Sequence, residues 1–189
     1  MASPLIRALN VRRALAEVSV LSQAQQTKVR ASMSPASLHT LETTKDVGWV
    51  DLAISAELNE ALYAVMSVAD YRRWSRQMAS HVLKRSMVSG MVETALRLFG
   101  VTPQGVLKMA PRGWEATYRE AGTVHVAALT PTSARITLTH LPAMMHTPSY
   151  LETIAGGLET VFDLCKVTGR IDIERQTAGD TVQMVASWV

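Results

Sequence analysis

Histidine, cysteine and clustered carboxylates are the side chains that most often bind metals or attack substrates, and this chain carries few of them. Its five histidines are His39, His81, His125, His140 and His146, and the two nearest in sequence, His140 and His146, have Pro142 between them. No HExxH or paired-carboxylate pattern accompanies them. Cys165 is the only cysteine, which excludes an intrachain disulfide and a thiolate-built zinc site. It falls on the apolar stripe of a predicted helix, where a thiol acts as a small hydrophobe. There is no GxSxG nucleophile elbow, and Gly156-Gly157 lies inside that same helix rather than in a phosphate-binding loop. The expectation is a non-enzymatic chain with no metal and no cofactor. An enzyme with an unrecognised site is the alternative; Glu60, Asp70, His81, Glu93, Glu115 and Glu120 show no pattern that would select among them.

Two groups of residues suggest binding. Arg72, Arg73 and Arg76 share a helix with Tyr71 and Trp74, a basic and aromatic combination that can grip phosphate and stack bases. A net charge of +3 gives that reading little electrostatic support, so a solvated face with its aromatics in the core is expected, and no nucleic-acid partner. The ten methionines suit adaptable apolar sites. Leu141-Pro142-Ala143-Met144-Met145-His146 reads as an apolar loop, and such a loop marks a partner surface or a pocket lid. The candidate ligand or partner surface is therefore Met87, Met91, Trp114, Tyr118, Met144, Met145 and Tyr150, each large, apolar or amphipathic and near a predicted helix–sheet junction.

The elements that must position these residues follow from periodicity. Leu5, Leu9, Val11, Leu15, Val18 and Leu21 predict an N-terminal helix with a basic face. The Ser34-Pro35 step predicts a break, with a turn or linker over 33–46. Residues 47–52 predict a short strand or docking segment, and Ser55 a helix N-cap ahead of Leu58, Leu62, Val65 and Met66. Further helices are predicted over 68–84, over 86–99 and from Thr102-Pro103 to near Ala110. After Gly122 the period becomes two, predicting a hairpin over 123–128 and 134–141. Leu151, Ile154, Ala155, Leu158, Val161, Phe162 and Cys165 predict a long one-sided helix over 148–166, whose glycine pair implies close approach to another backbone, most simply the sheet. Two more strands follow, through Ile171 and Ile173 and through Val182 to Trp188.

Helices first, then β-β-α-β-β, indicates an α+β fold with an antiparallel sheet and one long helix packed on it. Residues 1–46 are expected as an N-terminal helix and linker, partly disordered, and 47–189 as one ligand-binding-like domain. With 48% hydrophobic residues the chain is globular, and no apolar stretch reaches membrane-spanning length. A signal-peptide core is lacking, since Arg12 and Arg13 interrupt it, and with a lone cysteine this predicts a cytoplasmic protein.

Four segments carry a family resemblance: Leu107 to Trp114, the hairpin from Val124 to Leu138, Ser149 to Glu159 and the closing Ala186-Ser187-Trp188. They resemble uncharacterised myxobacterial-type proteins of about 200 residues. More distantly, the arrangement is similar to the superfamily of haem–nitric-oxide sensor domains, 4-vinyl reductase-type ligand-binding domains and a Golgi transport-complex subunit. The resemblance implies N-terminal helices on an antiparallel sheet and a small apolar ligand, a haem or a protein partner. Haem sensors of that superfamily carry a tyrosine-serine-arginine signature for the propionates, and Thr137 to Leu141, the corresponding stretch, lacks both the tyrosine and the arginine. The leading expectation is a regulatory or sensory module holding a small apolar ligand or a protein partner between helices and sheet. The alternative is a structural subunit that forms a homodimer without ligand.

Overall fold

The computed structural model describes residues 3–85, 102–174 and 179–189. Strand β1 (Leu5–Arg7) leads into helix α1 (Ala8–Glu17), followed by a 3-10 turn (Val18–Val20) and helix α2 (Gln23–Ser32). Ser22 caps α2 with a reciprocal capping box to Gln25, satisfying two of the amides a helix start leaves free. The linker expected over 33–46 is instead largely helix α3 (Pro35–Thr43). The reason is local: Pro35 sits at the first helical position, where its missing N–H costs nothing, and the Ser34 hydroxyl accepts the Ser37 amide. The same Ser-Pro pair that ends one helix therefore starts the next.

Strand β2 (Trp49–Asp51) runs into helix α4 (Leu52–Tyr63). The N-cap is Asp51, whose carboxylate accepts the Ala53 amide, and not Ser55, which lies buried one turn inside. Helix α5 (Val68–Arg85) follows. The helix expected over 86–99, with Met87 and Met91, lies outside the described residues. Helix α6 (Pro103–Leu107) has the expected Thr102 cap. A further helix, α7 (Ala110–Thr117), carries Pro111 in its first turn and delivers the two-residue strand β3 (Tyr118–Arg119).

The second half matches the periodicity closely. Strands β4 (Thr123–Thr130) and β5 (Ser133–Thr139) form the hairpin; helix α8 (Pro148–Cys165) follows, then β6 (Gly169–Glu174) and β7 (Val182–Trp188). These four strands make one antiparallel sheet in the order β4-β5-β7-β6. A second, three-stranded sheet has the order β2-β1-β3. There β1 pairs antiparallel with both neighbours, and Trp49 is sandwiched by the Arg7 and Arg119 guanidiniums at 4.0 and 4.1 Å. Such stacking on an indole face contributes beyond burial alone.

α5 and α8 cross at Gly156. A methyl group there would stand 2.7 Å from the Arg72 carbonyl oxygen and 2.9 Å from Ser75 Cβ. The close approach expected of the glycine pair is therefore made to a helix, not to the sheet. Carboxylates of α8 hold α5 in place. Arg72 donates to Glu152 at 2.5 Å and to the Ile171 carbonyl at 2.7 Å, and Arg76 pairs bidentately with Asp163 at 2.6 and 2.8 Å. Two of the three arginines weighed for nucleic acid are thus committed to the helix interface. The core is one continuous cluster running from Ile6 and Val11 through Leu58, Tyr71 and Phe162 to Met184 and Trp188.

Candidate functional site

Where α1, α4, α5, α7 and α8 face the main sheet, they border a partly open cavity of about 320 Å³. Each element contributes the residues its helical period points inward. α1 supplies Asn10, Val11 and Ala14; α4 supplies Ser55, Leu58 and Asn59. α5 supplies Trp74, Ser75, Met78 and Ala79. α8 supplies Thr153, Ile154, Gly157, Leu158, Val161 and Leu164 at its three- and four-residue steps. Val106, Met109 and Trp114 close one side, with Val124 and Leu138 of the β4–β5 hairpin beneath. Gly157 opens on this space, since a methyl group there would meet only Ala79 Cβ, at 3.8 Å.

The lining is mainly apolar, and none of its described residues is charged or is a histidine. Three polar groups stand out. Asn59, Trp74 and Ser75 are only 5%, 8% and 3% exposed, yet Asn59 Nδ2, Trp74 Nε1 and the Ser75 hydroxyl have no hydrogen-bond partner. Among the described residues only one other buried side-chain polar atom, Arg13 Nη1, shares that condition, and native interiors keep such groups few. Two tyrosines stand at the cavity, Tyr118 in its lining and the fully buried Tyr150, whose hydroxyl donates to Ser55 Oγ at 3.3 Å. Burial disfavours the phenolate, so Tyr118 is pushed up to about 12 and Tyr150 well above the ordinary tyrosine value. Both are neutral donors and acceptors at physiological pH.

The residues singled out in the sequence fall in three places. Trp114 and Tyr118 line the cavity, with ring centroids 4.4 Å apart, and Trp114 Nε1 donates to the Gly122 carbonyl at 3.1 Å. Tyr150 is fully buried in the wall behind them. Met144 and Met145 lie in a 3-10 turn (Ala143–His146) away from the lining; Met145 is fully buried and Met144 half-buried, so the expected apolar loop is tucked into the core. Met87 and Met91 lie outside the described residues. Sequence reasoning missed Asn59 and Ser75 as site residues and weighed Trp74 only as a stacking group. A signal existed for Asn59: with Ser55 it forms an i, i+4 polar pair on the same inward stripe as Leu58 and Leu62.

His39, His81, His125 and His140 are exposed, and half-buried His146 bonds to the Leu141 carbonyl at 3.3 Å. Cys165 is partly buried and off the cavity, and desolvation raises its thiol above the ordinary value, away from the reactive thiolate. Among the described residues no cluster of His, Cys, Asp and Glu could hold a metal ion, and no helix is long and apolar enough to cross a membrane.

Against solved structures, the chain superposes on the Fe(II) unliganded H-NOX protein from K. algicida with a TM-score of 0.69 and 13% identity, over 97% of both chains. The fold is that of H-NOX domains. A point mutant of the T. tengcongensis H-NOX domain matches at 0.54 and 8% identity, over 97% of each chain. A trafficking protein particle complex subunit 3 from Naegleria fowleri, covalently bound to palmitic acid, matches at 0.52 and 13% identity, over 73% of this chain and 93% of that one. The distant similarity expected from the sequence thus holds for both the haem-sensor and the transport-subunit branches. No family model and no curated protein matches the sequence.

Proposed function

We propose that this chain is a non-enzymatic sensory or regulatory module that binds a small apolar ligand in the cavity between its N-terminal helices and the α8–sheet unit. The observation that carries the reading is the cavity itself. Its size lies at the lower end for small-molecule sites, and its lining is the apolar, sparsely polar type that such sites use. Because helices from both halves of the chain contribute, occupancy would tie α1 and α5 to α8, as a regulatory module requires. The palmitic acid bound by the trafficking subunit of the same fold supports an apolar occupant.

H-NOX family proteins carry haem, and the described residues of this chain do not suit one. Iron needs an axial donor, most often histidine. All five histidines lie at described positions, and none lines the cavity. Tyr118 is a phenol whose burial disfavours the phenolate that would ligate iron. No described lining residue is cationic, so none of them would pair with propionates.

The test is calorimetric titration of the purified chain with 2-ethylnaphthalene, an apolar probe of about a dozen non-hydrogen atoms, roughly twice the benzene that a cavity half this size accepts. The wild-type chain is expected to bind it, and Gly157→Leu, which places a side chain in the cavity, is expected to lose binding while remaining folded. Absence of binding to the wild type, or equal binding to both, would overturn the proposal.

A further inference from the structure

Three of the helices that border the cavity are joined to the small sheet with no intervening residue. Strand β1 ends at Arg7 and α1 begins at Ala8; β2 ends at Asp51 and α4 begins at Leu52; α7 ends at Thr117 and β3 begins at Tyr118. Backbone hydrogen bonds brace two of these junctions: the Ala8 amide donates to the Gly48 carbonyl at 3.1 Å and the Leu52 amide to the Pro4 carbonyl at 2.9 Å. Side chains alternate along each strand, so the sheet has two faces. Ile6 pairs in register with Val50 on one side and Tyr118 on the other, which puts the three on one face. That face is the inner one: Ile6 and Val50 are buried, and Ile6 and Tyr118 line the cavity. The outer face carries Arg7, Trp49 and Arg119, the indole half-buried between its two guanidiniums and Arg119 exposed. Arg7 also donates from Nε to the Ala116 carbonyl of α7 at 3.3 Å and from Nη1 to the Val47 carbonyl at 2.8 Å.

Strands of three, three and two residues form few ladder bonds, so this sheet depends for its order on what packs against it. Part of that packing is the cavity itself, since Ile6 of the middle strand and Tyr118 of β3 border open space. A ligand filling the space adds contacts to both strands, and so favours the arrangement of the sheet in which they are made. Resting on the reading of the cavity as the ligand site, we infer that the β2-β1-β3 sheet is the output element of the module. Occupancy acts through Ile6 and Tyr118, orders the sheet, and tightens the Arg7–Trp49–Arg119 stack on its outer face.

Fluorine NMR of the full chain labelled with 5-fluorotryptophan tests this, its four indole signals assigned by single Trp→Phe replacements, on titration with 2-ethylnaphthalene. Trp74 and Trp114 line the cavity, Trp49 does not, and Trp188 is a core residue off it. The expected result is that Trp74, Trp114 and Trp49 shift with one shared affinity while Trp188 stays in place. Shifts at Trp74 and Trp114 with none at Trp49 would overturn the inference and leave the cavity's role intact. So would a shift at Trp188 as large as that at Trp49, the mark of a change spread through the whole chain. No shift at any of the four would overturn the functional proposal as well. Coupling between two places is reciprocal, so it is also readable from the outer face. Trp49→Leu removes the indole without touching the lining, and is expected to weaken binding of the same probe by about fivefold. An unchanged affinity in the folded variant would overturn the inference, and the fluorine titration decides it should that variant fail to fold.

Discussion

Gly156 and Gly157 are adjacent in one helix and face different neighbours, so the same substitution has opposite expected effects. Gly157→Ala gains helix propensity with room to spare and is expected to stabilise the chain by about 1 kcal/mol. Gly156→Ala drives a methyl group into the Arg72 carbonyl and is expected to cost about 2 kcal/mol. Urea unfolding of the two variants reads both. Asn59 offers a sharper residue-scale expectation. Replacing an unpartnered buried amide with leucine removes an unmet donor, so Asn59→Leu is expected to raise the unfolding midpoint by a few degrees. Tyr118 sets a pH dependence. Its folded value lies above the ordinary 10.0, so its contribution to stability is complete below pH 10 and is lost as pH rises towards about 12. Alkaline unfolding should be less steep over that window in Tyr118→Phe.

At the scale of elements, Glu159 links three of them. Its carboxylate accepts the Ile171 amide of β6 at 3.1 Å and the Arg72 guanidinium of α5 at 3.4 Å, from a position on α8. Arg72 keeps Glu152 when Glu159 is removed, so the main loss in Glu159→Ala is the orphaned Ile171 amide, at about 2 kcal/mol, with faster hydrogen exchange at that amide. The same scale shows what the sequence could reveal. The β4–β5 hairpin, α8 and the two closing strands were legible because period two and period 3.6 differ and because each presents one face to the core. Trp114 and Tyr118 were legible as amphipathic residues at a helix–sheet junction. Helix α3 was not, because Ser34-Pro35 carries the signal for both a stop and a start, and only the Ser37 amide accepted by Ser34 decides it. Nor was the cavity. Asn59 and Trp74 come from different helices, and their shared space exists only once Gly156 lets α5 settle against α8.

Across the whole molecule, the fold is that of H-NOX domains, while no histidine and no described cationic side chain lines the cavity. The described lining of the cavity is uncharged and mainly apolar, and the arginines Arg72, Arg76 and Arg7 are turned to α8's carboxylates or to Trp49. The most direct test is a native mass spectrum of the purified full chain with an absorbance scan of the same sample. The expected result is a mass excess equal to one small apolar molecule, released on denaturation, with no haem band. A haem band with the corresponding mass excess would contradict the account, as would a chain that retains no small molecule and does not take up the apolar probe.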